Sequence, residues 1–261
     1  MLSIVANYEN SRGINFPKVS EEHCLLNQNF DRYFEVVKAD TDALRREVYH
    51  LRYDVYCDEL GLEDKNEFPD ELEKDIYDAR SLHCLVRHKE SGLAAGCVRL
   101  IKNVPGDDQL LPFEVAAADQ INPEFRTALL RRTDFAEVSR LAVHPVFRRR
   151  TKDMNNKLGV NPFTDIGQMK GGERAYPLVA MGLYIVSSAL AITEDLDRVY
   201  VMIEPRLARM LNRCGMRFTQ ISQIMDYHGQ RAVYTIRPVD MLRSISLEGR
   251  DFLEKVCDRI A

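Results

Sequence analysis

The chain has 261 residues, of which 45% are hydrophobic and 29% charged, with a net charge of −4. That length makes one generous domain or two small ones and buries roughly 70–75% of the unfolded surface. The mild acidity disfavours a nucleic-acid partner, and no apolar run reaches the ~20 residues that span a bilayer.

The six cysteines are scattered without a C-x-x-C pair, and the first residues carry no signal-peptide pattern. Both features predict reduced thiols in a cytoplasmic protein. No His, Cys or carboxylate set has metal-ligand spacing, so no metal is expected.

Residues 1–29 mix charge, Asn and Pro without a clear period and read as an N-terminal arm or irregular cap. Residues 33–38 read as a strand. From Thr41 the apolar positions Leu44, Val48, Leu51 and Val55 recur at helical spacing, which predicts a helix over 41–58. The acidic stretch 61–74 contains Pro69 and predicts a loop or short broken helices. Strands follow over 82–88 and 94–102, joined by the polar turn Lys89-Glu90-Ser91-Gly92.

A loop with Pro105, Gly106 and Pro112 leads to a fourth strand over 135–144. Residues 145–175 are basic, rich in Gly and Asn, and too long for a passive connector, so they form a functional or mobile insertion. Later elements are a helix over 176–193, a strand over 198–203 and a helix from Pro205 to near Gly215, a C′ glycine. Strands over 216–221 and 232–237 and a terminal helix over 240–259 complete the chain. The order predicts one mixed α/β sheet flanked by helices: a domain over 30–238 plus a C-terminal helix in 239–261.

Charged residues inside apolar strands carry the functional signal. Arg99, Glu137 and Arg140 interrupt strand-like runs, where an unpaired charge costs several kcal/mol. Arg52 closes the first long helix just before the acidic loop that holds Asp75 and Asp78. Two readings stand side by side: an ion-pair network that fixes the sheet, such as Glu137 with Arg99 or Arg140, or a prepared polar site. Tyr56, one turn beyond Arg52, suits either a pocket wall or plain core.

The element order resembles the N-acetyltransferase (GNAT) fold, and Met210-Leu-Asn-Arg-Cys-Gly-Met-Arg-Phe218 resembles that fold's late helix-to-strand turn. The blocks Arg52-Tyr-Asp-Val-Tyr-Cys-Asp-Glu-Leu-Gly, Asp75-Ile-Tyr-Asp78, Gly96-Cys-Val-Arg-Leu100 and Glu137-Val-Ser-Arg-Leu-Ala-Val143 resemble the signature blocks of acyl-homoserine-lactone synthases. Pro205-Arg-Leu-Ala-Arg-Met-Leu and Asp226-Tyr-His-Gly-Gln-Arg-Ala resemble the N-acyl amino acid synthases and the PEP-CTERM/exosortase-associated acyltransferases.

The resemblance implies transfer of a long fatty acyl group from acyl carrier protein to the amine of an amino acid. The donor would be the carrier's acyl-phosphopantetheine, with no permanently bound cofactor. It implies Glu137 as general base with Arg140 beside it, and an acceptor side formed by Arg52, Tyr56, Asp75, Asp78 and Arg99. A main-chain N–H near Leu141 to Val143 would stabilise the oxyanion, and pantetheine would enter where strands four and five splay apart. Three rivals remain: a homoserine-lactone synthase using S-adenosylmethionine, an exosortase-linked acyltransferase with an unknown acceptor, and a non-catalytic carrier- or lipid-binding module.

Two departures shape the expectation. The glycine-rich loop that cradles a nucleotide diphosphate has no counterpart after strand four, where the chain reads Phe147-Arg-Arg-Arg-Thr-Lys-Asp-Met, so a carrier-protein donor is expected over coenzyme A. Leu211 stands where many acetyltransferases place a tyrosine acid. The cations Arg148, Arg149, Arg150, Lys152, Lys157, Lys170 and Arg174 form a basic patch suited to an acidic carrier protein. A solvated loop is the plainer reading, and a lipid product allows peripheral membrane contact.

Overall fold

The computed structural model describes residues 3–13, 25–104, 106, 108–130, 134–148 and 175–261. Its sheet has eight strands: β1 (Phe34–Lys38), β2 (Ser81–His88), β3 (Ala94–Lys102), β4 (Phe135–Val143), β5 (Arg198–Ile203), β6 (Thr219–Gln220), β7 (Met225–Asp226) and β8 (Gln230–Ile236). The spatial order is β1-β2-β3-β4-β5-β8-β6, with β7 paired to β8. Every pairing is antiparallel except β4 with β5, which is parallel. This is the mixed α/β sheet that the sequence predicts.

Strand alternation sends odd and even positions to opposite faces, and different helices cover each face. On one side lies α7 (Ala175–Thr193), which packs on β3 and β4 and is itself covered by α10 (Leu247–Ile260). It is apolar nearly all round because it is buried on both sides. On the other side α3 (Asp42–Arg52) lays Val48 and Leu51 against Leu85, Cys97 and Ala142. Thr41 starts α3 by accepting a hydrogen bond from the Leu44 N–H, an N-cap.

Several elements differ from the expectation. The segment 1–29 contains two helices, α1 (Ile4–Ser11) and α2 (Leu25–Tyr33), and Val5 and Tyr8 of the first are buried in the core. Each helix is about two turns, too short for a visible period. The helix expected over 41–58 is α-helical only to Arg52, and Tyr53–Glu59 continues as a π-helix. The loop before strand four holds α4 (Pro112–Ala116) and α5 (Pro123–Leu130), and α6 (Pro145–Arg148) follows that strand, each with proline at its first position. The strand expected over 216–221 shortens to β6. The terminal helix is interrupted: α9 (Pro238–Ser244) ends, and Ser246 caps α10 by accepting from the Gly249 N–H. No helix among the described residues is long and apolar enough to cross a membrane.

The helix α8 (Pro205–Arg213) ends at a left-handed Gly215, φ +89°, as the sequence predicts. A Cβ there would sit 2.4 Å from the Ser244 carbonyl oxygen at the end of α9, so the turn out of α8 requires glycine. Gly182 answers a tighter constraint in α7, where an added Cβ would lie 2.4 Å from the buried ring of Phe30. Gly182→Ala gains about 1 kcal/mol of helix propensity but overpacks this contact, which costs about 1–3 kcal/mol. The expected result is a lower urea midpoint at unchanged slope, relieved when Phe30→Leu is added.

Candidate functional site

Four elements bring charge to the α3 face of the sheet. Arg52, at the end of α3, is fully buried; its Nε donates to Glu73 at 2.5 Å and its Nη1 to Asp78 at 2.7 Å. Arg99, on β3, is 1% exposed and donates to Asp75 at 2.7 Å, to Asp78 at 2.9 Å and to the Ser139 hydroxyl at 3.1 Å. Arg140, on β4, donates to Glu63 at 2.8 Å and Glu73 at 3.1 Å and lies 3.8 Å from Asp75. Three guanidinium groups thus face four carboxylates, leaving one negative charge in excess.

A β-bulge makes this possible. In the β3–β4 register, Cys97 opposes Ala142 and Arg99 opposes Ser139, so Arg140 and Leu141 together oppose Val98. Arg140 takes a left-handed φ of +47° there. The extra residue lets Ser139 and Arg140, neighbours in sequence, both reach the same network instead of alternating across the sheet.

The electrostatics follow from burial and pairing. Burial opposes ionisation of Asp78, but Arg52 and then Arg99 outweigh it and hold the carboxyl at about 2. Glu73 is likewise disfavoured by burial, yet Arg52 and Arg140 keep it below the usual carboxylate range. His83, 3.5 Å from Asp78, is pushed down to about 4 by burial and is neutral near pH 7. Burial raises the Tyr56 hydroxyl to about 12, and that hydroxyl donates to the Leu141 carbonyl at 3.0 Å.

Glu137 shares this face but stands apart. It is 2% exposed, and its carboxylate accepts the Phe113 N–H of α4 at 2.9 Å. Burial pushes it up to about 8. No ion pair joins it to Arg99 or Arg140, so neither pairing read from the sequence forms.

Strands β4 and β5 pair only from Phe135–Arg198 to Val138–Val201 and then diverge. A cavity of about 220 Å³ occupies the divergence. Its α7 side is mainly apolar, lined by Val138, Leu141, Ala191, Val201 and Leu207, with the Ser187 and Ser188 hydroxyls turned back onto helix carbonyls; its other side reaches Tyr56, Ser139, Arg140, Met202 and Arg231. The opening therefore crosses the sheet from an apolar face to the charged network. Leu211 lines it too, offering no proton, and Glu137 does not line it.

Of the sequence-derived candidates, Arg52, Asp75, Asp78, Arg99 and Arg140 meet in one network, while Tyr56, Arg140 and Leu141 line the cavity. Val143 is buried in β4 opposite Gly96. Among the basic patch, Arg148 forms an ion pair with Glu59; Arg149, Arg150, Lys152, Lys157, Lys170 and Arg174 lie outside the described residues. Sequence reasoning missed Glu73, which joins Arg52 to Arg140, and Glu63. The available signal was their place in the acidic loop beside Asp75. Removing a partner from a buried pair strands a charge and costs about 3–5 kcal/mol. Arg52→Gln, which leaves Glu73 to Arg140 alone and Asp78 to Arg99 alone, is expected to unfold at markedly lower denaturant, whereas Arg45→Gln on the exposed side of α3 is expected to stay near wild type.

Residues 51–155 match the family described as the acetyltransferase (GNAT) domain. Among curated proteins, none matches the sequence. Three solved structures share the fold over most of their length. TofI, solved in a ternary complex with an inhibitor and MTA, is 17% identical with a TM-score of 0.55, covering 83% of this chain and 98% of TofI. FeeM, an N-acyl amino acid synthase from uncultured soil microbes, is 15% identical with a TM-score of 0.53, covering 82% and 96%. BjaI, a CoA-dependent acyl-homoserine lactone synthase solved with SAM and isopentyl-CoA, is 17% identical with a TM-score of 0.50, covering 87% and 89%. The mixed sheet flanked by helices is a GNAT-like fold.

Proposed function

We propose that this protein is an N-acyltransferase that moves a long fatty acyl group from the phosphopantetheine of acyl carrier protein to the amine of an amino acid. The observation that carries this reading is the cavity crossing the sheet between β4 and β5, apolar on the α7 side and charged on the other. A fatty chain gains about 0.8 kcal/mol per buried methylene on the apolar side, while a polar amine approaches from the charged side. FeeM supports an amino-acid acceptor, and BjaI shows that a coenzyme A donor is compatible with this fold.

The chemistry is acyl transfer. The amine nitrogen attacks the thioester carbonyl carbon, the oxyanion of the tetrahedral intermediate forms, and the C–S bond breaks to release the pantetheine thiol with a proton. Beyond Val138 the β5-facing edge of β4 has no strand partner, so a main-chain N–H near Leu141 to Val143 is available to the oxyanion; such donors contribute about 2.7–4 kcal/mol. Arg52, Arg99 and Arg140 hold the acidic loop and the bulge in place. Glu137, as base, takes the amine proton through water, since it does not line the cavity. The basic patch docks the carrier.

Three outcomes test this. Incubation with palmitoyl-carrier protein and each amino acid, read by mass spectrometry, is expected to give N-palmitoyl amino acid; a product only with S-adenosylmethionine would instead support lactone synthesis, and release of free palmitate alone would end the proposal. Ser188→Phe, narrowing the cavity from α7, is expected to shift preference from palmitoyl toward butyryl donors.

The third outcome is pH dependence. A base that ionises near 8 gives a rate that rises as pH increases through 8, and Glu137→Gln is expected to lose about 10²–10⁴-fold and flatten that rise. Because folding raises the pKa of Glu137 from 4.5 to about 8, its contribution to stability is full below the unfolded value, falls as pH rises toward 8 and levels off above it. Glu137→Gln is therefore expected to remove part of the wild-type loss of stability between pH 5 and 9. An unchanged rate and profile in this variant would falsify the base assignment.

A further inference from the structure

Building on the acyl-transfer reading, we infer that Arg231 binds the carboxylate of the acceptor amino acid at the charged end of the β4–β5 gap. Arg231 stands near the start of β8, opposite Met225 and two residues from Val233. Val233 pairs with Met202 and packs with Ile101 and Phe113, so strand alternation sets Arg231 on the face opposite α7. The fatty tail occupies the α7 side, which leaves this face to the acceptor.

Two charged side chains line the cavity, Arg140 and Arg231. Arg140 is committed to Glu63 and Glu73. The Arg231 side chain makes no ion pair or hydrogen bond among the described residues, and its buried Nε lacks an acceptor. Arg231 is half-buried, with its Nε sealed and no counter-charge beside it among the described residues, and its planar fork matches a carboxylate in two parallel hydrogen bonds. The opposite wall carries the network with one carboxylate in excess, which suits the ammonium end of the same molecule. An amino acid held by both ends spans the gap with its amine, one carbon from the carboxylate, beside the thioester. The guanidinium thereby selects α-amino acids over simple amines.

The test compares amino acids with their carboxamides, which keep the amine and lose the anion, using palmitoyl-carrier protein as donor. Wild type is expected to prefer the acid. Arg231→Gln is expected to raise KM for the acid roughly 10- to 100-fold, the loss of a charge-assisted pair, while leaving kcat, donor KM, the amide KM and the melting temperature unchanged; Arg231→Lys is expected to recover part of the loss. Equal acid-to-amide preference in wild type and Arg231→Gln overturns the assignment while leaving acyl transfer intact. A rise confined to donor KM also overturns it and assigns Arg231 to the pantetheine phosphate. A wild-type protein that acylates no amino acid removes the acyl-transfer reading itself, and this inference with it.

Discussion

A guanidinium buried in the middle of a sheet must receive its counter-charges from the chain itself, and that requirement organises this molecule. Arg52 and Arg99 are sealed from water, and each needs carboxylates that only the acidic loop between α3 and β2 can deliver. Pairing them draws Glu73, Asp75 and Asp78 down onto the sheet and fixes a segment that otherwise has little regular structure. Arg140 closes the arrangement by reaching Glu63 and Glu73. Its reach depends on the bulge, and the bulge lies where β4 parts from β5. Charge pairing and the opening in the sheet are therefore one structural event. Such a network is weak evidence for stability as such; its consequence is a polar wall of fixed geometry on one side of a gap.

The gap separates two kinds of surroundings within a few residues of chain. On the α7 side, Val138, Leu141 and Val201 present methyl groups; on the other, Tyr56, Ser139 and Arg140 present hydrogen-bonding groups. A reaction that joins a fatty chain to an amine needs both, meeting at one carbonyl. Glu137 is set apart by its bond to the Phe113 N–H and by burial that keeps it protonated near neutral pH. That bond ties β4 to α4 beneath the gap.

Much of this was legible in the sequence because strands and charges leave strong signals. The limits of β3 and β5 were recoverable from apolar runs alone, and Arg99, Glu137 and Arg140 announced themselves as charges where charge is costly. The parts that escaped have physical reasons. α1, α4 and α5 have eight residues or fewer, so their apolar faces repeat too seldom to show a period. The π-helix after Arg52 keeps a helical pattern of side chains while changing its backbone, which composition cannot reveal. Glu73 lies in an acidic run where each carboxylate looks equally solvated, and only folding distinguishes the one between two arginines. The bulge at Arg140 left no mark, since arginine is not the residue a left-handed position favours.

The central claim is that the divergence of β4 and β5 is the passage for the acyl thioester. A crystal structure with a non-hydrolysable palmitoyl-pantetheine ether tests it most directly. The account predicts the chain between α7 and the diverging strands, with its carbonyl-equivalent carbon beside the bulge at Arg140 and Leu141. Density for the analogue on the α3 side near Arg45 and Tyr49, with the gap left free, would contradict it.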